Sequence, residues 1–217
     1  MPYSKSMASP VLFVVMTVIA AILLFTASIT ATIGAADSFA SSFYNTDANI
    51  RTAHQYLTIA AALGWTSLVV LIVILIVAAA AGGFATVEVS DDMLLKPNPS
   101  QADIANVYRA EKELSAGKTT QIIVLIILVI IAIVTFIVGI LAAAAAIQLG
   151  GLSQQDDKSR SAYTSAIVAA VSGIGGIGIM FIAVIAYVAI SSSREEELGK
   201  LELFEKRTEV QLKLPPV

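Results

Sequence analysis

The chain has 217 residues, of which 57% are hydrophobic and 13% charged, with a formal net charge of −3 and no cysteine. The missing cysteines exclude disulfide-stapled ectodomains, thiolate metal sites and thiol catalysis, and a slightly acidic balance gives nucleic acid no basic surface to bind. No Asp, Glu, Lys or Arg falls in 11–35, 55–87, 119–155 or 161–193. Each stretch exceeds the roughly 20 apolar residues that cross a hydrocarbon core, and a water-exposed helix so long would need a polar face. The expected fold class is all-α integral membrane: a four-transmembrane-helix bundle of two helical hairpins, with a small amphipathic helix in the middle loop. Its expected parts are a first transmembrane hairpin (1–84), a loop with a short strand and the amphipathic helix (85–118), a second transmembrane hairpin (119–192), and a polar helical extension with a strand-like tail (193–217).

In chain order, MPYSKSMASP precedes an apolar run of more than 20 residues, longer than a secretory h-region, so an uncleaved signal-anchor is expected. The first span reads VLFVVMTVIAAILLF and then TASITATIGAA. Thr26, Ser28, Thr30 and Thr32 offer a narrow polar path or, more simply, hydroxyls bonded back to their own helix. Phe39, Phe43, Tyr44, Tyr56 and Tyr163 fit one membrane boundary and Tyr3 the other. His54, the only histidine, sits near Asp47, Arg51 and Tyr56, a set too sparse for a metal or acid/base site. The second span, LTIAAALGWTS then LVVLIVILIV, contains Trp65, for which packing is the only role read from sequence.

The middle loop opens with TVEV (86–89), which alternates like a short strand. NPSQADIANVYRAEKELSAG then reads as a helix, with Ser100 as N-cap, an apolar face of Ile104, Val107, Tyr108 and Leu114, and Gly117 as the stop. One amphipathic helix cannot bury its stripe alone, so it must lie on the membrane, on the chain's own tail or on a partner. The third span, IIVLIILVIIAIVTFIVGIL then AAAAAIQLGG, leads into a turn with Asp156 and Asp157, read as solvated.

The fourth span contains SGIGGIGIM (172–180), in which Gly173, Gly175 and Gly178 spell a dinucleotide-binding fingerprint. That motif needs a strand before it and a helix opening at it. Here it lies inside an apolar span, where irregular backbone cannot face hydrocarbon, so the glycines are read as helix-packing residues. Gly64, Ala143, Ala169, Gly173, Gly175, Gly176 and Gly178 are the expected close-contact positions, with flat patches on two sides of the fourth helix. Beyond the span, SSSREEELGKLELFEKR continues as a helix with Leu198, Leu201 and Phe204 on one stripe. TEVQLKLPPV then changes to period two, with Val210, Leu212 and Leu214 on one side, the pattern of a strand that adds to a partner's sheet or of a frayed tail.

Three regularities join the spans. Ten basic residues flank the side carrying both termini and the middle loop, and three (Arg51, Lys158, Arg160) flank the other, which places the termini in the cytosol. Each span has a bulky half and a small half, and the small halves share the non-cytosolic side, where the helices are expected to pack closely. RTAHQYLTIAAALG from Arg51 and RSAYTSAIVAAVSG from Arg160 align with Arg, Ala, an Ala-Ala pair and Gly at the same offsets. That alignment is the mark of two hairpins in parallel repeat.

No ionisable residue lies deep in a span, whereas ion pathways and proton relays place such groups there. No catalytic, cofactor-binding or metal-binding residue is assigned, and no cofactor is expected. The absence of cysteine counts against the tetraspanin and claudin families. A cysteine-free four-span chain with runs such as IIVLIILVIIAIV and uncharged spans resembles the membrane-embedded minor capsid proteins of large icosahedral double-stranded DNA viruses. The resemblance covers the topology of most of the chain and carries over no functional residue. It implies a tie between a virion's internal membrane and its outer shell. At the same level the chain looks like MARVEL-type four-span proteins, which implies membrane organisation in a cell.

The expected function is a non-enzymatic structural one: anchoring a protein assembly, a viral capsid shell in the case the resemblance implies, to a bilayer. A small channel or transporter is the alternative. The expected partners are the lipid bilayer and proteins on the cytosolic or capsid-facing side, reached through Ile104, Val107, Tyr108, Leu198, Leu201, Phe204, Val210 and Leu212, with no nucleic acid. Homo- or hetero-oligomerisation is left open.

Overall fold

A computed structural model describes residues 8–80, 100–116, 118–152 and 156–213. Its elements are five helices: α1 (Ala8–Ala40), α2 (Ala48–Ala80), α3 (Gln101–Ala116), α4 (Lys118–Gly150) and α5 (Asp157–Lys213). The strand read at 86–89, the stop at Gly117 and the side chain of Leu114 lie outside the described residues. Four helices, α1, α2, α4 and α5, are long and apolar enough to cross a membrane, the pattern of a multi-pass membrane protein. At 1.5 Å per residue, each 33-residue helix measures about 50 Å, which overshoots the roughly 30 Å hydrocarbon core at both ends.

The four long helices form a ring in the order α1, α2, α4, α5, each packed on two neighbours. The most extensive contact is between α1 and α5, which are not consecutive among the four. The ring is therefore closed by α1 against α5 and α2 against α4 as well as by the sequential pairs α1–α2 and α4–α5.

The core has two parts, and they follow the bulky and small halves of each span. Toward the two short turns the interior is mostly alanine: Ala27, Ala31 and Ala35 of α1, Ala53 and Ala60 of α2, Ala142 and Ala145 of α4, and Ala162, Ala166 and Ala169 of α5. Toward the side of the termini it is bulky, with Phe13, Leu24, Leu71, Leu128, Met180 and Tyr187. Methyl-sized side chains let backbones approach and gain dispersion contact that acyl chains cannot replace. The bulky half fills a wider gap between the same helices. Outside, Ile22, Ile76, Ile126, Ile147, Phe181 and Ile185 stand exposed, Ile147 by 79%. An outer wall of this kind suits hydrocarbon and would be a large apolar patch in water.

At the waist between the two cores the glycines act. A Cβ on Gly64 would collide with Ser28 Oγ of α1. One on Gly173 would stand 2.8 Å from Gly139 Cα of α4. Gly64 and Gly173 stand at the same offset after Arg51 and Arg160.

The tail corrects one expectation. Residues 208–213, read as strand, are the last turns of α5. The period-two pattern there spans only three apolar residues, while Glu, Gln and Lys favour helix. Adding residues to an existing helix requires no new nucleus. The side chains of Val210 and Leu212 lie outside the described residues. α5 thus runs 57 residues without a break across the expected boundary at 192.

Candidate functional site

α5 presents one buried stripe along its length: Ala183, Tyr187, Ile190, Arg194, Leu201 and Phe204. The spacings of three, four and seven keep these residues on a single face. The first three pack inside the bundle. The last two continue past it and meet α3, where Val107 and Ala110 close a small core with Leu201 and Phe204, flanked by Leu198. Tyr108 Oη donates to Glu205 Oε1 at 3.1 Å. Ser100 stands at the N-cap of α3, its carbonyl accepting from Ile104 N–H at 3.1 Å.

Of the expected contact residues, then, Val107, Leu201 and Phe204 are buried within the chain and are not free for a partner. The amphipathic helix chose the chain's own tail, because two short apolar stripes close in space bury one another before any partner arrives. Leu198 and Ile104 are half-buried, and Tyr108 is exposed. Leu203, not singled out from sequence, stands 68% exposed on the opposite face of α5. On that extension Lys200 pairs with Glu197 at 2.8 Å and Glu196 at 3.6 Å. Glu196 is exposed and its pair adds little stability, while Glu197 is half-buried.

Of the helix-packing set, Gly64, Ala169, Gly173 and Gly176 are buried, Gly176 against Thr135, and Ala143 is half-buried against the alanine core. Gly175 and Gly178 correct the expectation: a Cβ on either would meet nothing within 4 Å. Successive helical residues turn by about 100°, so a two-residue step from Gly173 to Gly175 leaves the contact face. Gly139, the partner of Gly173, was missed. It was read with the bulky half of its span, although Ala143 four residues on completes a small-xxx-small pair with it.

The turn-side end is held by polar contacts. Asp47 Oδ1 accepts from Asn49 N–H at 2.7 Å and so caps α2. Asp156, the equivalent residue before α5, accepts from Ser41 and from the backbone of Lys158, Ser42 and Ser159. The Ser41 hydroxyl, with those amides, holds its carboxyl below the ordinary range, against an opposing effect of burial. Lys158 Nζ donates to Asp37 Oδ1 at 2.9 Å and Ser161 Oγ to Asp37 Oδ2 at 2.6 Å, joining α5 to α1. His54 Nδ1 lies 2.9 Å from the Ala35 carbonyl, which only accepts, so this nitrogen carries the proton. Its ring meets Tyr44 edge to face at 5.4 Å and Phe39 at a tilt at 5.6 Å. Among the described residues no group of three or more His, Asp or Glu is placed to hold a metal.

The span hydroxyls turn inward on themselves. Thr26, Ser28, Thr30 and Thr32 each donate to the carbonyl four residues back at 2.7–2.9 Å. Thr32 Oγ1 also accepts from Trp65 Nε1 at 3.1 Å, which gives Trp65 a partner on α1.

The side of the termini differs. Gln121 of α4 and Tyr187 of α5 are 5% and 1% exposed, and Gln121 Nε2 and Tyr187 Oη have no hydrogen-bond partner among the described residues. Each such group costs about 1–3 kcal/mol.

Comparison with protein-family models, with curated proteins and with solved structures gives no match to this chain.

Proposed function

We propose that this chain is a non-enzymatic structural membrane protein that anchors a protein assembly to a bilayer through α3 and the extension of α5. One observation carries the reading: Leu201 and Phe204 of α5 bury Val107 and Ala110 of α3. The loop helix is thereby fixed to a helix that is itself part of the membrane bundle. From residue 191 onward α5 adds about 35 Å of helix beyond the apolar span. A partner that grips this extension grips the bilayer with no flexible joint in α5 between them. Exposed Tyr108 and Leu203, set among mixed charges, are the contacts such a partner would use. The basic residues that flank this side favour its facing the cytosol or, where the assembly is a viral shell, the capsid.

The channel reading has less support, since the hydroxyls that would line a path are bonded to their own helix. A photo-reactive residue at Tyr108 and another at Leu203, in the native membrane or particle, test the anchor. Both should cross-link to the same protein component of one assembly. Capture of lipid alone, or selective ion flux by the purified chain in liposomes, would overturn the proposal.

A further inference from the structure

The extension of α5 contains a glycine that neither its helix nor the bundle uses. Gly199 stands about 9 Å past Ser193, the last residue of the uncharged span, and well before the end of the helix at Lys213. It is therefore not a helix stop, and glycine is the least favourable helix-interior residue after proline. Nor is it a close-contact glycine like Gly173, since a Cβ on Gly199 would meet nothing within 4 Å. It lies two residues from Leu201, so it faces away from the α3 contact. On a helix surface each position is ringed by the residues three and four away on either side. For Gly199 these are Glu195, Glu196, Glu202 and Leu203, all exposed. The result is a hole floored by bare backbone and walled by carboxylates and one leucine. Lys200 reaches Glu196 at 3.6 Å but holds Glu197 more closely, at 2.8 Å. Neither Glu195 nor Glu202 is in an ion pair among the described residues. Lys206, the next basic residue on this face, is two turns further along and leaves the hole open. An apolar side chain seated there would bury carboxylates without a counter-charge. A lysine or arginine suits the hole better: its aliphatic stem lies on the backbone and Leu203 while its charged end meets Glu195 and Glu202.

We propose that the outward face of the α5 extension, centred on Gly199, docks a basic helix of the assembly partner, with a lysine or arginine seated between Glu195, Glu202 and Leu203. This docking site rests on the anchoring role and gives the partner its chemistry: a cationic helix with an apolar residue beside its charge, where it meets Leu203. Charge complementarity of this kind sets partner choice and orientation more than raw affinity.

The test places the full chain in phosphatidylcholine nanodiscs and titrates it with a fluorescent, alanine-based helical peptide that carries arginine and leucine at four-residue spacing. A second peptide has glutamate in place of arginine. The arginine peptide should bind more tightly than the glutamate peptide by about tenfold or more, and its binding should weaken as salt is raised. Glu195→Gln combined with Glu202→Gln should weaken it by about tenfold. Gly199→Leu keeps every charge and favours helix, so it should weaken binding by a similar factor without unfolding α5, because the hole is filled. Equal binding of the two peptides, or equal binding of the arginine peptide to empty nanodiscs, overturns the proposal. Binding that Gly199→Leu leaves unchanged overturns it as well, since it would then be diffuse attraction to an acidic face. Cross-linking from Leu203 separates the docked helix from the anchor. Capture of an assembly protein through a segment without basic residues overturns the docked basic helix and leaves the anchor standing, whereas capture of lipid alone overturns the anchor whatever the peptides do.

Discussion

Gly173 and Gly139 meet backbone to backbone: a Cβ built on Gly173 would stand 2.8 Å from the Gly139 Cα and 2.9 Å from its amide nitrogen. No side chain lies between α4 and α5 at this point, so neither helix can yield by changing a rotamer. Gly173→Ala must push the helices apart and is expected to cost about 1–3 kcal/mol, as overpacking does. Gly175→Ala, two residues away and facing open space, should be neutral or stabilising by up to about 1 kcal/mol through helix propensity. Unfolding of both variants in mixed micelles checks the contrast.

The α3 contact is small and separable. Phe204→Ala should release α3 without melting the bundle, because Val107, Ala110, Leu198 and Leu201 share no cluster with the membrane core. Hydrogen exchange should speed up across residues 101–116 and stay slow at Ala142 and Ala169. Tyr108→Phe removes one exposed hydrogen bond and should change stability by less than about 1 kcal/mol.

Trp65 is the only tryptophan, so its fluorescence reports one site. Thr32→Val removes the acceptor of its indole N–H. Bonds of this kind between membrane helices are worth about 0.6 kcal/mol on average. A small loss of stability and a shift in emission wavelength are expected together.

The turn-side cap makes stability depend on acid. Asp156 has its folded pKa depressed, chiefly by the Ser41 hydroxyl. Its contribution is complete above the unfolded carboxylate pKa and is lost as pH falls through the lower folded value. Melting temperature measured from pH 6 downward should therefore decline in the acid range, and Asp156→Asn should flatten part of that decline. At the other turn, Asp47→Ala should cost about 1 kcal/mol through the lost cap of α2.

Much of this was legible in the residues themselves. Four uncharged runs require a hydrocarbon solvent, and the alanine halves of those runs do pack together, because composition along a span is a local property. What a sequence of one chain hides is which face meets which. The stripe of α3 and the stripe of Leu201 and Phe204 were both visible, yet each looked like a surface awaiting a partner until the fold put them in contact. Gly175 and Gly178 matched a packing motif by spacing alone, while the contact needed Gly139 on another helix. Asp156 read as a solvated turn residue and Asp47 only as a neighbour of His54, although an Asp directly before an apolar periodic run is a helix-start signal. The short alternation after residue 207 failed for the opposite reason: it was local, and the long helix before it overrode it.

The central claim is that hydrocarbon surrounds the four long helices while their alanine-lined faces turn to one another. Single cysteines introduced into this cysteine-free chain in liposomes test it most directly, each labelled by a spin probe and challenged with a lipid-borne and a water-borne relaxation agent. Labels at Phe181, Ile126 and Ile76 should respond to the lipid-borne agent, while labels at Ala142, Ala166 and Ala31 respond to neither. Water-borne relaxation at the first three sites, or lipid-borne relaxation at the alanines, would contradict the account.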